Sequence, residues 1–425
     1  MKANSLGINL EKNVNIHLEN KEVSRKFFWF IFLTYALVCM TKNCYNGAMA
    51  SIVSQGVLTK SQTGLITAVF YLVYAPMQIV GGIVADKFSP QRMIKIGLIG
   101  AALANVVISL NQNYYVMLTA WAFNGIVQFG IWPSIFKIVS SQLVRSDRVQ
   151  MVFYLSFCST GGLVLAYLMA AVLPSWEYNF VVSAVVLFAL AVILHISSKR
   201  INTYMKWDKK EEPEEKKAEA LIEYPSTMKV FVKSGFFFVC ITVLLSITVS
   251  QSKSTLSSIM FVENYKSVSP SLGNILTIVF VISGMVGTII AKKFCDSVRN
   301  EIVAMALTLA VQIPLLAICI FVGKIPVIAV VIILAIVAAL ESIANLFRNY
   351  YNVYFVKYGK SGTAAGILNS AMSISYMLAA YVMPKTVEVF GWGTYLTLLP
   401  ILIGISALLL LVVCKTFKNF KRGQL

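Results

Sequence analysis

Three ionisable side chains stand inside long apolar stretches of this sequence: Lys42, Lys253 and Glu341. An ionised group at the bilayer centre costs at least about 2.5–3.5 kcal/mol on insertion scales, so such residues face a cavity or a partner. Lys42 lies among Thr41, Asn43, Tyr45 and Asn46. That setting suits contact with an anion; a structural ion pair or snorkelling is the plainer alternative. Lys253 falls in Gln251-Ser252-Lys253-Ser254-Thr255, polar enough for a broken or cavity-lining helix. A helix end near the membrane surface accounts for it equally well. Glu341 is followed by Asn345 and Arg348 at i+4 and i+7, so the three share one helix face. A lone carboxyl there can take up and release a proton, or Glu341 and Arg348 can anchor one helix to its neighbours. Asn124 and Gln128, again at i+4, share a face that Trp132 continues. Amides so placed either hydrogen-bond a solute or join helices. Lys137 reads as a loop or headgroup contact near a helix end.

Other chemistry is poorly supplied. There are two histidines, His17 and His195, and seven cysteines, all single and mostly within apolar runs. No Cys-x-x-Cys pair or Cys/His cluster occurs, so no metal site and no disulfide framework is expected. Nor is there a nucleotide-binding loop or a catalytic cluster, and the chain is expected to be no enzyme and to hold no cofactor.

The elements that must position these residues follow from composition. Of 425 residues, 58% are hydrophobic and 13% charged, against about 45–50% and about 25% in soluble domains. Runs long enough to cross the hydrocarbon need about 20 residues. Twelve occur, at roughly 27–52, 61–84, 93–110, 114–138, 149–173, 178–197, 231–261, 270–291, 301–322, 325–347, 363–384 and 393–414. Residues 1–26 read as a polar tail, not a cleaved signal. A charged linker, 198–230, divides six spans (27–197) from six more (231–414), and 415–425 form a second tail. The formal charge of +18 would suggest nucleic acid in a soluble chain. Here 30 of the 36 Lys and Arg fall in the two tails, the linker and alternate loops, while the opposite loops hold only Lys60, Lys266, Lys324 and Lys385. The positive-inside rule explains that asymmetry and places both termini and the linker in the cytoplasm.

Between the second and third runs stands Gly81-Gly82-Ile83-Val84-Ala85-Asp86-Lys87-Phe88-Ser89-Pro90-Gln91-Arg92. The pattern Gly-x-x-x-Asp-Lys-x-x-x-x-Arg resembles the signature loop of the major facilitator superfamily, and the six-plus-six layout agrees. Glycines let two helices approach closely, and Asp86 suits a helix N-terminus or a basic partner at the membrane surface. A worn copy, Gly287-Thr288-Ile289-Ile290-Ala291-Lys292, fits an internal duplication. Lys42-Asn43, Gln128-Phe129-Gly130-Ile131-Trp132-Pro133 with Lys137, Gly362-Thr363-Ala364-Ala365-Gly366 and Phe390-Gly391-Trp392 are similar to segments of the organophosphate–phosphate antiporters. The related anion–cation symporters share much of this framework.

The resemblance implies an all-α membrane protein of two six-helix bundles, working as a monomer by alternating access. It implies a central solute site on spans 1, 4, 7 and 10, with a coupling proton or an exchanged anion as a further partner. Thr41, Lys42, Tyr45, Asn46, Asn124, Gln128, Trp132, Ser250, Lys253 and Asn369 are the candidates for binding. Asp86, Lys87, Arg92, Glu341, Asn345 and Arg348 are the candidates for gating or coupling. The departures are informative. The antiporters clasp phosphate with two arginines, where this chain has Thr41 and Ser250, and a histidine expected in span five falls near Cys158. A bidentate guanidinium clamp is thus absent, and Lys42 is left as a single point charge. A small organic anion or polar metabolite is the expected solute. Proton-coupled drug efflux is the first alternative, weakened because span five lacks Gly-x-x-x-Gly-Pro and span one lacks an acid. A non-transporting metabolite sensor is the second.

Overall fold

The computed structural model describes residues 14–18, 20–144, 151, 154–155, 157–202, 205–209, 226–294, 300–355 and 361–421. Helix occupies part or all of each of the twelve predicted runs. In chain order the helices are α1 (Lys21–Ser54), α2 (Lys60–Lys87), α3 (Pro90–Ser109), α4 (Tyr114–Val127), α5 (Ile131–Lys137), α6 (Cys158–Val172) and α7 (Trp176–Asn202). They continue with α8 (Thr227–Ser234), α9 (Phe236–Asn264), α10 (Pro270–Phe294), α11 (Glu301–Ile318), α12 (Val327–Val353) and α13 (Ser361–Lys421). Eight described stretches are long and apolar enough to cross a membrane. The last of these, Ser370–Phe420, has length for two crossings.

The chain divides into two compact units. One comprises Met1–Ile52 and Val69–Leu221, the other Val53–Ala68 and Ile222–Leu425. The division between the units falls at Leu221 and Ile222, and the segment carrying the start of α2 sorts with the second unit. In the first unit α3 packs chiefly on α7 and α4. Its buried apolar cluster joins Phe28 of α1, Leu98 of α3, Ile135 of α5 and Leu190 of α7. In the second unit α9 and α11 pack on α13, and α10 packs on α12. There Phe231, Phe236, Tyr351, Phe355, Phe417 and Phe420 build an aromatic cluster.

Lipid tails are as apolar as leucine, so these helices cohere by close packing more than by hydrophobic transfer. Small residues show where. A Cβ on Gly287 of α10 would lie 2.5 Å from the Ala339 carbonyl oxygen of α12, closer than any real contact.

Local chemistry sets the helix ends. Asn113 accepts from the Tyr115 and Val116 amides to start α4, and Asn300 accepts from Ile302 and Val303 to start α11. Three boundaries differ from the apolar runs, each for a physical reason. The fourth run is not one helix: Gln128–Gly130 is a 3-10 turn and Ile138–Gln142 a π turn. Pro133 has no N–H to give the Phe129 carbonyl, which breaks the α ladder there. Gly81, from the signature loop, packs directly on that freed carbonyl. The seventh run is interrupted at Gly235, whose φ of 73° ends α8 and restarts the chain as α9. The last two runs are two helices that meet without an intervening loop at Gly391 (φ 80°, ψ 173°), so residues 385–390 are helical where a loop was expected.

A short antiparallel ribbon, β1 (Val14–Leu18) with β2 (Met205–Lys209), adds to the all-α fold class. It takes residues from the N-terminal tail and from the linker, whose first residues extend α7 to Asn202.

Candidate functional site

In the first unit the site grows from one face of α1. Tyr35, Cys39 and Lys42 recur at i, i+4 and i+7 and look the same way. Lys42 is half-buried, and among the described residues no carboxylate pairs with it. Its ammonium instead lies 4.1 Å from the centre of the Tyr74 ring. The Phe70 and Tyr71 rings stand at 5.5 and 5.6 Å. Cation–π contacts of this kind contribute about 0.5–2 kcal/mol, according to how dry they are. They hold a lysine in an apolar setting without consuming its charge, which stays open to an anion. Beside this face, the Trp132 ring of α5 lies tilted by 31° against Tyr35, with ring centres 4.9 Å apart.

The neighbouring polar residues are more committed. Asn43 donates to the Cys39 carbonyl and accepts from Asn46. The Thr41 hydroxyl, 1% exposed, donates to its own helix at Val38. Gln128 donates to Asn124 at 2.7 Å, and Asn124 Nδ2 is buried with no partner. Tyr45 differs most from its expected binding role, because it is fully buried between the Trp121 and Phe180 rings. The helix break at 128–130 also separates Trp132, half-buried on the rings, from the buried Asn124 and Gln128. The expected continuous face is therefore two pieces.

In the second unit Lys253 is well inside α9, not at a helix end. Its ammonium lies 2.7 Å from Glu341 Oε1 on α12, with side-chain exposures of 4% and 10%. The Ser250 hydroxyl, one turn before Lys253, donates to the other carboxylate oxygen at 2.9 Å. Beside it the Tyr395 hydroxyl of α13 donates to Ser252 at 3.3 Å. A cavity about large enough for one water adjoins Lys253, lined also by Ser257, Cys319 and Tyr395.

Glu341 thus turns to α9 rather than along α12. Asn345 is half-buried, and Arg348 is buried near Tyr376. The anchoring of α12 to its neighbours by Glu341 is seen, but through Lys253 and not through Arg348. Neither Glu341 nor Glu263 serves Lys42. Glu263 pairs with Lys60 at 2.9 Å and accepts from Trp392 at 2.8 Å. Nearby, Glu388 accepts from the Ser61 amide at 2.7 Å, where an anion suits the first turn of α2.

Asp86 and Lys87 close α2, with side chains outside the described residues; Asn369 is helical, its side chain likewise outside them. Arg92 is exposed on α3. Among the described residues no group of three or more His, Cys, Asp or Glu could hold a metal. The rings around Lys42 and the tyrosine at Ser252 were not singled out by sequence. Phe70, Tyr71 and Tyr74 do recur at i, i+1 and i+4, a signal for one aromatic face.

A multi-pass helical membrane protein of two units, each with an intramembrane lysine, is the class that fold and site define. Residues 31–379 match the Major Facilitator Superfamily, and the chain belongs to that family. Among curated relatives, the "Membrane sensor protein UhpC" of Salmonella typhimurium is 26% identical over 167 residues. That match covers 39% of this chain and 38% of the relative. The "Phosphoglycerate transporter protein" of the same organism is 28% identical over 174 residues, 39% of this chain and 37% of the relative. The chain thus spans under two fifths of the length of these relatives. In fold it is similar to a bacterial homolog of the human lysosomal transporter Spinster, solved inward-facing and unoccupied. The TM-score is 0.77 at 16% identity, over 94% of this chain and 98% of that one.

Proposed function

We propose that this chain is a secondary transporter that carries a small organic anion across the cytoplasmic membrane by alternating access. In this reading it works as a monomer, is not an enzyme, and keeps both termini in the cytoplasm. The observation that carries it is Lys42, an intramembrane cation with no acid partner among the described residues and a ring-lined seat that leaves its charge available. A cation kept at that cost is best accounted for by an anion that visits it. The phosphate-directed names of relatives such as the phosphoglycerate transporter support an anionic solute. The residues at hand favour a carboxylate over a phosphate dianion. Thr41 and Ser250 stand where a guanidinium clamp would be needed, and both hydroxyls are already engaged.

A sensor that binds its solute without moving it is a second reading, favoured by the likeness to UhpC. One series separates the two. Purified protein is screened by thermal shift against lactate, benzoate, succinate and 3-phosphoglycerate, then assayed for counterflow in liposomes. Stabilisation followed by counterflow is expected. Stabilisation without counterflow selects the sensor, and no response to any anion sinks both.

A further inference from the structure

We infer that the solute held at Lys42 is an arylalkanoate, its carboxylate on the ammonium and its ring seated against Tyr35 and Trp132. The inference rests on the anion-transport reading and names its substrate class.

The rings near Lys42 differ from the other rings of the same unit. Tyr45, Trp121, Trp176 and Phe180 pack on one another and are each at most 1% exposed. Tyr35, Tyr71, Tyr74 and Trp132 are only half-buried, as is Lys42. Lipid does not account for that opening. Leu33, 53% exposed, marks the outer side of α1. Lys42 follows it by nine residues, about two and a half turns, and so lies on the opposite side. Tyr35 precedes Lys42 by seven residues, about two full turns, and shares the lysine's side. The half-open face therefore looks away from lipid.

Both ends of this face are held firmly. Phe70 stacks on Tyr74 with ring centres 5.4 Å apart, and Trp121 of the packed cluster stands 5.6 Å behind Phe70. Tyr74 is thus fixed where its ring meets the Lys42 ammonium at 4.1 Å. At the other end Trp132 lies against Tyr35 at 4.9 Å, with Phe136 5.9 Å beyond Trp132. Cys39, whose sulfur is 3.9 Å from the Ser159 hydroxyl of α6, covers the stretch between.

That layout selects a ligand. Seven helical residues rise about 10 Å. Helical side chains lean toward the N-terminus, so the ammonium reaches back over part of that distance toward Tyr35. A ring joined to a carboxylate by a short alkyl chain spans the remainder. Benzoate is too short to engage both ends, and an aliphatic acid leaves the rings without an aromatic partner. A second anionic group would meet ring faces, which repel negative charge.

The test titrates full-length protein in detergent with 3-phenylpropionate, 3-cyclohexylpropionate, hexanoate and 3-phenylpropanol, then measures counterflow of 3-phenylpropionate in liposomes. The aryl acid should bind about 10-fold tighter than the cyclohexyl acid, although the saturated ring is the more apolar. The uncharged alcohol should bind about 10-fold or more weaker than the aryl acid, having no contact with the ammonium. In Trp132→Leu the preference for aryl over cyclohexyl should fall to about one, and in Trp132→Phe most of it should survive. A Trp132 that only supports the fold would weaken every ligand alike. Lys42→Gln should erase the preference for acid over alcohol and keep that for the aryl ring. Wild-type binding of the cyclohexyl acid or hexanoate as tight as that of the aryl acid overturns the inference, whether or not any variant folds. So does a ring preference that Trp132→Leu leaves intact. Counterflow of lactate or succinate with no preference for 3-phenylpropionate removes this inference alone and leaves the transport reading standing. No response to any carboxylate overturns both.

Discussion

Lys42 and Lys253 look alike in sequence, a lysine in a polar patch of an apolar run, and the structure gives them opposite settings. Lys253 is neutralised by a carboxylate 88 residues further on, whereas Lys42 rests on rings. No spacing rule reveals such a pairing, because which helices face each other is decided by packing. The cost of an intramembrane charge could be read locally; the partner that offsets it could not. Lys42→Gln separates binding from structure. A desolvated lysine–carboxylate contact contributes about 1.5–3 kcal/mol, so the substitution should weaken anion affinity roughly 10- to 100-fold. With no ion pair to break, the melting temperature should stay near that of wild type. A variant that melts early yet binds normally would assign Lys42 to structure and remove the main support for an anionic solute.

At the scale of the element, apolar runs locate helices well and their interruptions poorly. Pro133 and Gly235 could be seen in the sequence, but an apolar run continues across both, so hydropathy alone does not register the break. The reverse happened at 385–390, where the sequence suggested a loop and helix persists up to Gly391. The glycines of the signature loop were read as points of close approach, and Gly81 on the Phe129 carbonyl bears that out; Gly287 of the worn copy packs as closely on Ala339. Gly287→Val should therefore destabilise the protein by about 1–3 kcal/mol, since backbone opposes the new side chain and cannot turn aside. Gly284→Ala is the contrast, because its Cβ would meet the Ser342 hydroxyl, 3.0 Å away at the end of a side chain, with the Ala338 carbonyl oxygen at an ordinary 3.6 Å. Thermal unfolding of both variants reads the difference. Equal melting temperatures would mean that α10 and α12 are packed less tightly than described.

For the whole molecule, the twelve runs and the six-plus-six layout were legible because the bilayer imposes one length on every span. Family membership was legible in Asp86, Lys87 and Arg92, and the match over residues 31–379 agrees with it. Assignment of the Val53–Ala68 segment to the second unit was not legible, as it depends on Glu263 and Glu388 reaching Lys60 and Ser61 from more than 200 residues away. Orientation in the membrane rests on charge alone, with 30 of 36 Lys and Arg assigned to one side. That asymmetry is worth a direct measurement, since a translocated linker would invert every statement about sides. The seven native cysteines are first replaced, and single cysteines are then placed at Glu215 and at Gln112. Membrane-impermeant maleimide added to intact cells should label the Gln112 site, while the Glu215 site should react only in inverted vesicles. The linker carries eight basic and seven acidic residues between Ser198 and Lys229, a composition that does not enter hydrocarbon. Reaction of both sites from the same side would require an even number of crossings between them in place of three, and the twelve-span arrangement would fall.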